Sequence, residues 1–393
     1  MKRSLSAIFK NARLTLMQKS AEILILSGAR TPFATWSRGK NGEGKSGGAL
    51  ATLDPFDLGA AALKGALNRA VIAPEDLDKV IFGHAYHVGP NACYGARYVA
   101  HRADVPPNIS SLTVTLLCGT GLAAVITSAH EIAGGHARRI GAGGSDSSSL
   151  VPREIFIPSF MDISCGERIG KLTQDLAEEY GISRLAQDQW AKRSHEAAIQ
   201  AQKKGFFDEE IVPTSDVLKD DNLRDNVGGD FFSTAKSLFG TTGSVTGANT
   251  HGFVDGGSAV ILSSSSSASC TPLGRYIAGF VVGVNPRQMA YAAVPAVRQC
   301  LQSAKLAMAD IDLFEIHETF AAQVLIDIQE LGIPQEKVNV NGGAIALGHP
   351  FAGSGCRLIL TLLKELKRRK LRYGIAAICA AGGLGTAVLV EAL

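Results

Sequence analysis

Cys118 is the residue whose type and position best suit nucleophilic chemistry. It lies between a β-like run at residues 111–117 and an amphipathic stretch at residues 122–132. A thiol at a strand-to-helix junction meets unpaired backbone N–H groups and the positive end of the helix dipole, and both favour the thiolate. Gly119 and Gly121 have no side chains, so a bulky substrate could approach the backbone there. The position therefore predicts a nucleophile, and the structural alternative is a small buried residue.

Three further polar side chains stand where a plain hydrophobic core would not place them. His317 directly follows a buried-strand pattern, and His349 lies in a glycine-rich loop just before Gly353-Ser354-Gly355. Cys379 ends another strand-like run. Taken singly, each has a structural interpretation: a hydrogen-bonded core histidine, a turn residue and a buried cysteine. Their relative placement in the fold therefore decides whether they form a site.

The elements around these side chains occur twice. A shift of 234 positions carries Gly119 onto Gly353, and without a gap it also aligns the aspartates at 76 and 78 with those at 310 and 312. Each copy reads as an amphipathic helix, a short polar turn, a buried strand and, further on, a glycine-led helix. Such ordered agreement indicates an internal repeat. The repeat is expected to place Cys118 and His349 near a pseudo-twofold axis, facing each other.

Composition and charge indicate a soluble globular α/β protein. The 393 residues are 46% hydrophobic and 19% charged, and the 43 glycines suit many tight strand-to-helix turns. A formal charge of +3, with dispersed Lys and Arg, does not indicate nucleic-acid binding. Seven cysteines without a CxxC spacing predict free thiols in a reducing compartment and no metal site. The apolar run at residues 373–390 contains four glycines, so it is predicted to be a buried β-hairpin, and no integral membrane segment is expected.

Three parts of the chain can be distinguished. Residues 1–21 form an N-terminal extension, residues 22–270 an N-terminal half and residues 271–393 a C-terminal half. A stretch from about residue 150 to 247 has no equivalent in the second half, which indicates an inserted loop domain that could cover a ligand site. The serine-rich segment 263–269 marks the seam between the halves. The patterns predict strands at residues 22–27, 80–82 and near 140, and helices at residues 57–70, 171–180 and 184–204.

The extension at residues 1–21 is basic and has no acidic residue. Such a leader resembles a mitochondrial transit peptide, which would direct the protein to the mitochondrial matrix. The alternative is a surface helix or an upstream start in a cytoplasmic protein, since Met17 lies just before the first strand. We favour the cytoplasmic interpretation.

Taken together, the segments that carry these residues resemble the thiolase family, and the resemblance covers residues 22–393. The matching segments are Arg30-Thr31-Pro32, Leu117-Cys118-Gly119-Thr120-Gly121, His317-Glu318-Thr319-Phe320-Ala321, Asn341-Gly342-Gly343-Ala344-Ile345-Ala346-Leu347-Gly348-His349-Pro350 and Cys379-Ala380-Ala381-Gly382-Gly383-Leu384-Gly385. The resemblance implies an α/β fold of duplicated, five-layered α-β-α-β-α type with an inserted loop domain. It also implies a homodimer or homotetramer.

The resemblance implies a role for each candidate residue. Cys118 would accept the acyl group, His349 would take its proton, Cys379 would be the second acid or base, and His317 would hold a water in an oxyanion hole. The backbone N–H groups of Cys118 and Ala381 would form a second oxyanion hole. The substrates would be CoA and acyl-CoA, with coenzyme A as a co-substrate and with no bound cofactor or metal.

Several positions depart from the family pattern or distinguish its branches. Many relatives have Ser at Thr120, whose extra methyl group could narrow the pocket. His317 is typical of enzymes that resemble the fatty-acid β-oxidation branch, whereas the short-chain biosynthetic branch has Asn. Arg168 stands where relatives often have His, and His251 where a Ser often contacts CoA. Arg224 matches an arginine near the CoA adenine, although it could also be a solvated surface charge.

These observations favour CoA-dependent thiolytic cleavage of medium- or longer-chain 3-ketoacyl-CoA, with a possible β-oxidation partner enzyme. The first alternative is a biosynthetic acetyl-CoA acetyltransferase that forms acetoacetyl-CoA. Residues 119–124 also fit the dinucleotide pattern G-x-G-x-x-A, which would suggest an NAD-dependent oxidoreductase. A decarboxylating ketoacyl synthase would lack Cys379, and a non-catalytic CoA- or lipid-binding relative would have lost at least one of the four groups.

Overall fold

The structure is a computed structural model that describes residues 22–38, 47–89, 92–225, 227–228, 230–265 and 270–393. The predicted extension at residues 1–21 and most of the serine-rich seam lie outside these residues.

Strands and helices alternate along most of the chain. The strands are β1 (Ile23–Arg30), β2 (Ala34–Thr35), β3 (Lys79–Gly83), β4 (Ser110–Val114), β5 (Arg139–Ser147), β6 (Met161–Asp162), β7 (Glu167–Arg168), β8 (Val254–Ser263), β9 (Gly274–Gly283), β10 (Leu313–Ile316), β11 (Tyr373–Ala380) and β12 (Leu384–Ala392). The helices are α1 (Pro55–Ala70), α2 (Gly95–Arg102), α3 (Thr120–Ala133), α4 (Arg153–Phe156), α5 (Ile169–Glu179), α6 (Arg184–Lys203), α7 (Ala293–Ala304), α8 (Ala321–Leu331), α9 (Ala344–Leu347) and α10 (Ser354–Arg369).

The main strands form two similar halves that meet at one antiparallel pair. The order is β10-β11-β12-β9-β1-β8-β5-β3-β4, and β1 joins β9 with Ile23 opposite Tyr276. In the first half β3 is parallel to β4 and β5, while β8 is antiparallel to β5. In the second half β10 is parallel to β11, and β12 is antiparallel to it. The order β3-β5-β8-β1 in the first half therefore repeats as β10-β11-β12-β9 in the second, and β4 has no counterpart among the described strands.

Helices lie on both outer faces and between the halves. α3 and α10 pack in the middle and contact strands of both halves, around an inner core that includes Leu122 and Ile359. α1 and α2 cover the outer face of the first half, and α7 and α8 that of the second. The five-layered α-β-α-β-α prediction is confirmed. The apolar faces of these helices and strands account for it, because each layer buries its hydrophobic side against the next.

Equivalent contacts in the two halves reveal the duplication residue by residue. One carboxylate oxygen of Asp78 accepts the backbone N–H groups of residues 138 and 139, at 2.7 and 2.9 Å. Asp312 accepts the equivalent bonds from residues 372 and 373, both at 2.9 Å. Leu117 and Phe351, which the same shift superposes, both adopt positive φ, at 48° and 39°. The turns before α3 and α10 are therefore copies of one another.

Two element boundaries differ from the sequence prediction. The first strand does not end at residue 27 but extends to Arg30, whose buried guanidinium contacts Glu210 at 2.9 Å and Asp220 at 2.7 Å. The run at residues 111–117 is a strand only as far as Val114, and a 3₁₀ turn begins at Leu117. The hairpin predicted at residues 373–390 is confirmed as β11 and β12.

The stretch between β5 and β8 contains α4, the β6–β7 hairpin, α5 and α6. The predicted helices at residues 171–180 and 184–204 correspond to α5 and α6. Within the residues that the structure describes, no helix is both long and apolar enough to cross a membrane.

Candidate active site

Cys118 sits in a constrained turn between β4 and α3. Leu117 has a left-handed φ of 48°, a conformation that costs energy for a branched side chain. The Thr120 hydroxyl closes the turn by accepting the Leu116 N–H at 2.7 Å and donating to the Leu117 carbonyl at 2.7 Å. The Thr120 methyl group packs against Gly83, where a Cβ would lie only 2.1 Å from it. The extra methyl group is therefore accommodated by the sheet, and the expected narrowing of the pocket does not follow.

The Cys118 thiol is protonated in the resting structure. Burial raises the pKa of Cys118 to about 12, and the Asp146 carboxylate adds to that rise. Asp146 accepts backbone N–H groups from Ala85, Tyr86 and Ala352, so it is held firmly in place. The Cys118 backbone hydrogen bond lowers the pKa, in the direction expected for the junction, but burial outweighs it. A helix N-terminus stabilises an anion by up to about 2 kcal/mol, which is less than the cost of burying an unpaired charge.

His349 is positioned as a neutral base. Gly348, with φ of 89°, packs against Val254 and brings the chain into the site, where the His349 backbone N–H donates to the Gly252 carbonyl at 2.9 Å. Its Nδ1 lies 2.7 Å from the Ser354 hydroxyl, and its Nε2 has no hydrogen-bond partner among the described residues. Burial, and then the neighbouring histidines, hold the pKa of His349 well below its usual range. The free Nε2 is thus the atom available to accept a proton.

Three imidazole rings form one cluster. The ring centroids of His317 and His349 are 4.0 Å apart, and that of His251 is 4.7 Å from His349 and 6.1 Å from His317. Burial lowers the pKa of His251 to about 4. His251 was predicted as a CoA contact, and the structure places it both in this cluster and in the wall of the large cavity. All three rings are neutral at pH 7.

His317 follows β10 and points both ring nitrogens into the site. Its backbone N–H donates to the Ala377 carbonyl at 2.8 Å, which ties it to β11. It is fully buried, and neither Nδ1 nor Nε2 has a partner among the described residues. A buried polar side chain without a partner is rare, so the ring is suited to a water or a substrate oxygen.

Glu318 anchors the segment that carries His317. The carboxylate is fully buried and accepts hydrogen bonds from the Trp190 indole at 3.0 Å, the Ser194 hydroxyl at 2.6 Å, the Asn339 amide at 2.9 Å and the Ile345 N–H at 3.0 Å. Two of these donors belong to α6, and the other two to the loop and helix that precede His349. Glu318 therefore links the inserted stretch to both histidine-bearing segments.

Cys379 is the next-to-last residue of β11 and lies close to Cys118. Burial raises its pKa, a hydrogen bond from Thr319 lowers it, and the nearby Asp327 and Cys118 raise it further. The strand then turns through Gly382 and Gly383, both with positive φ. Cys379 thus has a raised pKa and lies close enough to Cys118 for a negative charge on Cys118 to raise that pKa.

Cys118 and the histidines are connected through Phe351. The Phe351 ring centroid lies 4.7 Å from that of His349, and Cys118 packs against the apolar cluster that contains Phe351. The structure therefore brings Cys118 and His349 close together, with His317 beside His349 and Cys379 close to Cys118.

A cavity of about 1230 Å³ leads to this cluster. The predicted substrate-binding residues Arg168, Arg224 and His251 all line it, together with Arg38, Arg153 and Lys236. No carboxylate is among its lining residues in the described chain. The Arg224 guanidinium lies 5.2 Å from the Phe231 ring centroid, which gives a flat cationic and aromatic surface. The cavity is therefore suited to a large anionic ligand with apolar parts.

Sequence reasoning missed the residues that orient the reactive groups. Ser354 was noted only as part of the repeated helix start, yet its hydroxyl holds His349. Thr319 and Asp146 were not singled out, although they touch or influence the two thiols. Their spacing from the histidine and cysteine gave no periodic signal, since side-chain contacts across strands depend on tertiary structure. In the described residues no group of His, Cys, Asp and Glu side chains could hold a metal ion.

Comparison with known proteins agrees with the fold and the site. The family model "Thiolase, N-terminal domain" matches residues 23–155 and 151–266, and "Thiolase, C-terminal domain" matches residues 270–392. Among curated relatives, an acetyl-CoA acetyltransferase of Cupriavidus necator is 37% identical, covering 94% of this chain and 99% of the relative. A 3-ketoacyl-CoA thiolase of Bacillus subtilis is 35% identical over the same shares of each chain.

Solved structures give the same result. Human mitochondrial 3-ketoacyl-CoA thiolase superposes with a TM-score of 0.89 at 31% identity, covering 95% of this chain and 99% of that one. A second structure of the human enzyme, in complex with CoA, also has a TM-score of 0.89 and 31% identity, covering 95% of this chain and 98% of that one. On this evidence, the chain belongs to the thiolase family.

Proposed function

We propose that the chain is an acyltransferase that cleaves 3-ketoacyl-CoA with CoA, giving acetyl-CoA and a shortened acyl-CoA through an acyl-Cys118 intermediate. The observation that carries the proposal is the convergence of two thiols, the half-buried Cys118 and the buried Cys379, with the imidazoles of His317 and His349 close to an electropositive cavity. The same groups support the reverse Claisen condensation. The relatives are named after both directions of the reaction: one is an acetyl-CoA acetyltransferase and another a 3-ketoacyl-CoA thiolase.

In the first half-reaction, His349 Nε2 takes the Cys118 proton as the sulfur attacks C3 of the substrate. The C2–C3 bond then breaks, and the electron pair leaves with the acetyl-CoA enolate. Cys379 donates its proton to C2 of that enolate. The result is acetyl-CoA, acyl-Cys118, an imidazolium at His349 and a thiolate at Cys379, so protons and charge balance.

In the second half-reaction, the His349 imidazolium first returns its proton to the Cys379 thiolate through water. The neutral His349 then takes the CoA thiol proton as the CoA sulfur attacks the acyl carbon. The Cys118 sulfur leaves and recovers its proton from His349. Both thiols and the neutral imidazole are thereby restored, which is the resting state that burial favours.

Two sets of donors are proposed to stabilise the oxyanions. His317 would hold a water, or the thioester oxygen itself, with a ring N–H that has no protein partner among the described residues. The backbone N–H groups of Cys118 and Ala381 would form the second oxyanion hole. Loss of one such donor typically costs roughly 3 to 4 kcal/mol of transition-state stabilisation.

Arg168, Arg224 and His251 are proposed to bind the CoA part of the substrate within the cavity. The cationic lining complements the phosphates, and the apolar lining complements the pantetheine and acyl parts. CoA serves here as a co-substrate, and the mechanism requires no bound cofactor.

The G-x-G-x-x-A pattern has a structural explanation. Gly121 lies where α3 packs closely against the turn before α10, and a Cβ on Gly121 would lie 2.6 Å from the Ala352 carbonyl oxygen. This geometry argues against the oxidoreductase alternative.

The direct test compares substrates of different length. CoA-dependent loss of acetoacetyl-CoA and of a longer 3-ketoacyl-CoA should be measured with the same enzyme preparation. We expect the longer substrate to react, because His317 is typical of the β-oxidation branch. Reaction of the four-carbon substrate alone would instead support the biosynthetic alternative.

We also propose the division into an extension (residues 1–21), an N-terminal half (22–270) with an inserted loop domain at about 150–247, and a C-terminal half (271–393). The positions of α4 to α6 between β5 and β8 support this division.

We further propose that the protein forms a homodimer or homotetramer, that it works with a β-oxidation partner enzyme, and that it is located in the cytoplasm. A mitochondrial location is the alternative, and relatives include cytosolic and mitochondrial proteins.

A further inference from the structure

Thr319 is the polar side chain that contacts the second thiol. Its hydroxyl oxygen lies 3.5 Å from Cys379 Sγ, within hydrogen-bonding distance for sulfur, and both side chains are buried. Hydroxyl groups can donate or accept, so the same contact can serve both protonation states of the thiol. When Cys379 is a thiol it can donate to Thr319, and when it is a thiolate Thr319 can donate to it.

Thr319 is held in place from both sides of its backbone. Its N–H donates to the Gln323 side-chain oxygen at 3.1 Å, and the Gln323 amide donates to the buried Asp327 at 2.5 Å. Its carbonyl accepts the His251 N–H at 3.4 Å. The hydroxyl is therefore directed at Cys379 by a fixed backbone.

We propose that Thr319 is a positioning residue for Cys379, which orients the thiol toward C2 of the substrate and stabilises the thiolate formed when that proton is transferred. The inference rests on the proposed function and adds a residue to it. No proton passes through Thr319: it donates a hydrogen bond to the sulfur while the proton moves between Cys379 and C2. Hydrogen bonds to charged groups are worth more than neutral ones, so the contact strengthens when the thiolate forms.

Among the described side chains, Thr319 is the one with a hydroxyl in hydrogen-bonding distance of Cys379 Sγ. The titratable groups whose charge affects Cys379 are Asp327 from α8 and Cys118 from the turn before α3. His317 follows β10, the strand that pairs with β11. Asp327 and Cys118 disfavour a negative charge at Cys379, and burial holds His317 neutral. Met289 and Ala292 complete an apolar wall. Among the described side chains around this thiol, Thr319 is thus the one that favours the thiolate, and the Cys379 backbone N–H adds a smaller effect in the same direction.

The test separates the two half-reactions. Exchange of labelled CoA into acyl-CoA uses Cys118 and His349, whereas exchange of the acetyl-CoA C2 protons with D₂O also needs Cys379. For Thr319→Val we expect C2-proton exchange to fall by roughly 10- to 100-fold while CoA exchange stays within about twofold. The pH at which C2-proton exchange accelerates should also move upward. Thr319→Ser retains the hydroxyl and should recover most of the rate.

Thr127→Val is a matched control, because it removes a hydroxyl contact to the Ala123 carbonyl inside α3 without touching either thiol. Unchanged C2-proton exchange in Thr319→Val, or a parallel fall of both exchanges, would overturn the inference. If Thr319→Val does not fold, Thr319→Ala and Thr319→Ser decide by the same comparison. A wild-type protein that shows neither exchange would overturn the proposed function itself, which is a distinguishable result.

Discussion

At the scale of single residues, burial sets the protonation state of every reactive group. It raises the pKa of both thiols and lowers the pKa of His317 and His349, so burial favours the neutral form of each of these four side chains. The sequence predicted that Cys118 and His349 lie close together, because the internal repeat places them at nearly equivalent positions. It could not predict the direction of the Cys118 shift, since that direction depends on how much of the turn is covered by distant segments.

The lowered pKa of His349 predicts that the rate of acyl transfer does not fall as the pH drops below neutrality. The base form of His349 is present wherever pH exceeds its lowered pKa, so falling pH should not remove it near 6.5, the usual value for histidine. We expect the CoA exchange rate to be flat between about pH 8 and about pH 6. A rate that falls by half near pH 6.5, in protein that regains full activity on return to pH 7, would contradict this protonation state.

At the scale of elements, the decisive piece is the turn between β4 and α3. Sequence patterns located the strand and the helix, but not the left-handed Leu117 or the early end of β4 at Val114. They also ended β1 too early. Its extension to Arg30 depends on Glu210 and Asp220, which lie far away in sequence and are invisible to local periodicity.

The Thr120 hydroxyl should be necessary for this turn. Thr120→Val keeps the methyl group against Gly83 but removes both hydrogen bonds. We expect a loss of about 1 to 3 kcal/mol in unfolding free energy and at least a tenfold fall in acyl transfer. Urea denaturation and CoA exchange measure these effects.

Thr120→Ser is the matched control for the turn. It keeps the hydroxyl and leaves only a methyl-sized gap, so its activity should stay within about threefold of wild type, with a stability cost of about 1 kcal/mol. Equal activity of Thr120→Val and Thr120→Ser would show that the hydroxyl does not hold the turn.

At the scale of the whole molecule, the duplication creates the site. The two inner helices meet where Gly121 and Gly355 touch, and the turns beside them present Cys118 and His349. The gap-free register made this arrangement predictable from the sequence. The entry of His251 into the histidine cluster was not predictable, because His251 lies between α6 and β8, outside the helices and strands from which a position could be inferred.

The helix crossing should tolerate no side chain. A Cβ on Gly121 would lie 2.6 Å from the Ala352 carbonyl oxygen and 3.0 Å from the Gly355 Cα. Gly121→Ala should therefore lower the unfolding free energy by about 1 to 3 kcal/mol and reduce activity, since the helices must separate. His130→Ala, at an exposed position of the same helix, should change stability by less than about 0.5 kcal/mol. Equal stabilities of the two variants in urea would contradict the close crossing.

The central claim is that Cys118 carries the acyl group. The protein should be incubated with acetyl-CoA without free CoA, quenched in acid, digested and mapped by mass spectrometry. We predict one acetyl group on the peptide that contains Cys118, absent from Cys118→Ala and present in Cys379→Ala, because acyl transfer from acetyl-CoA does not need the second thiol. An acetyl group on a different cysteine, or none on the wild-type protein, would contradict the account.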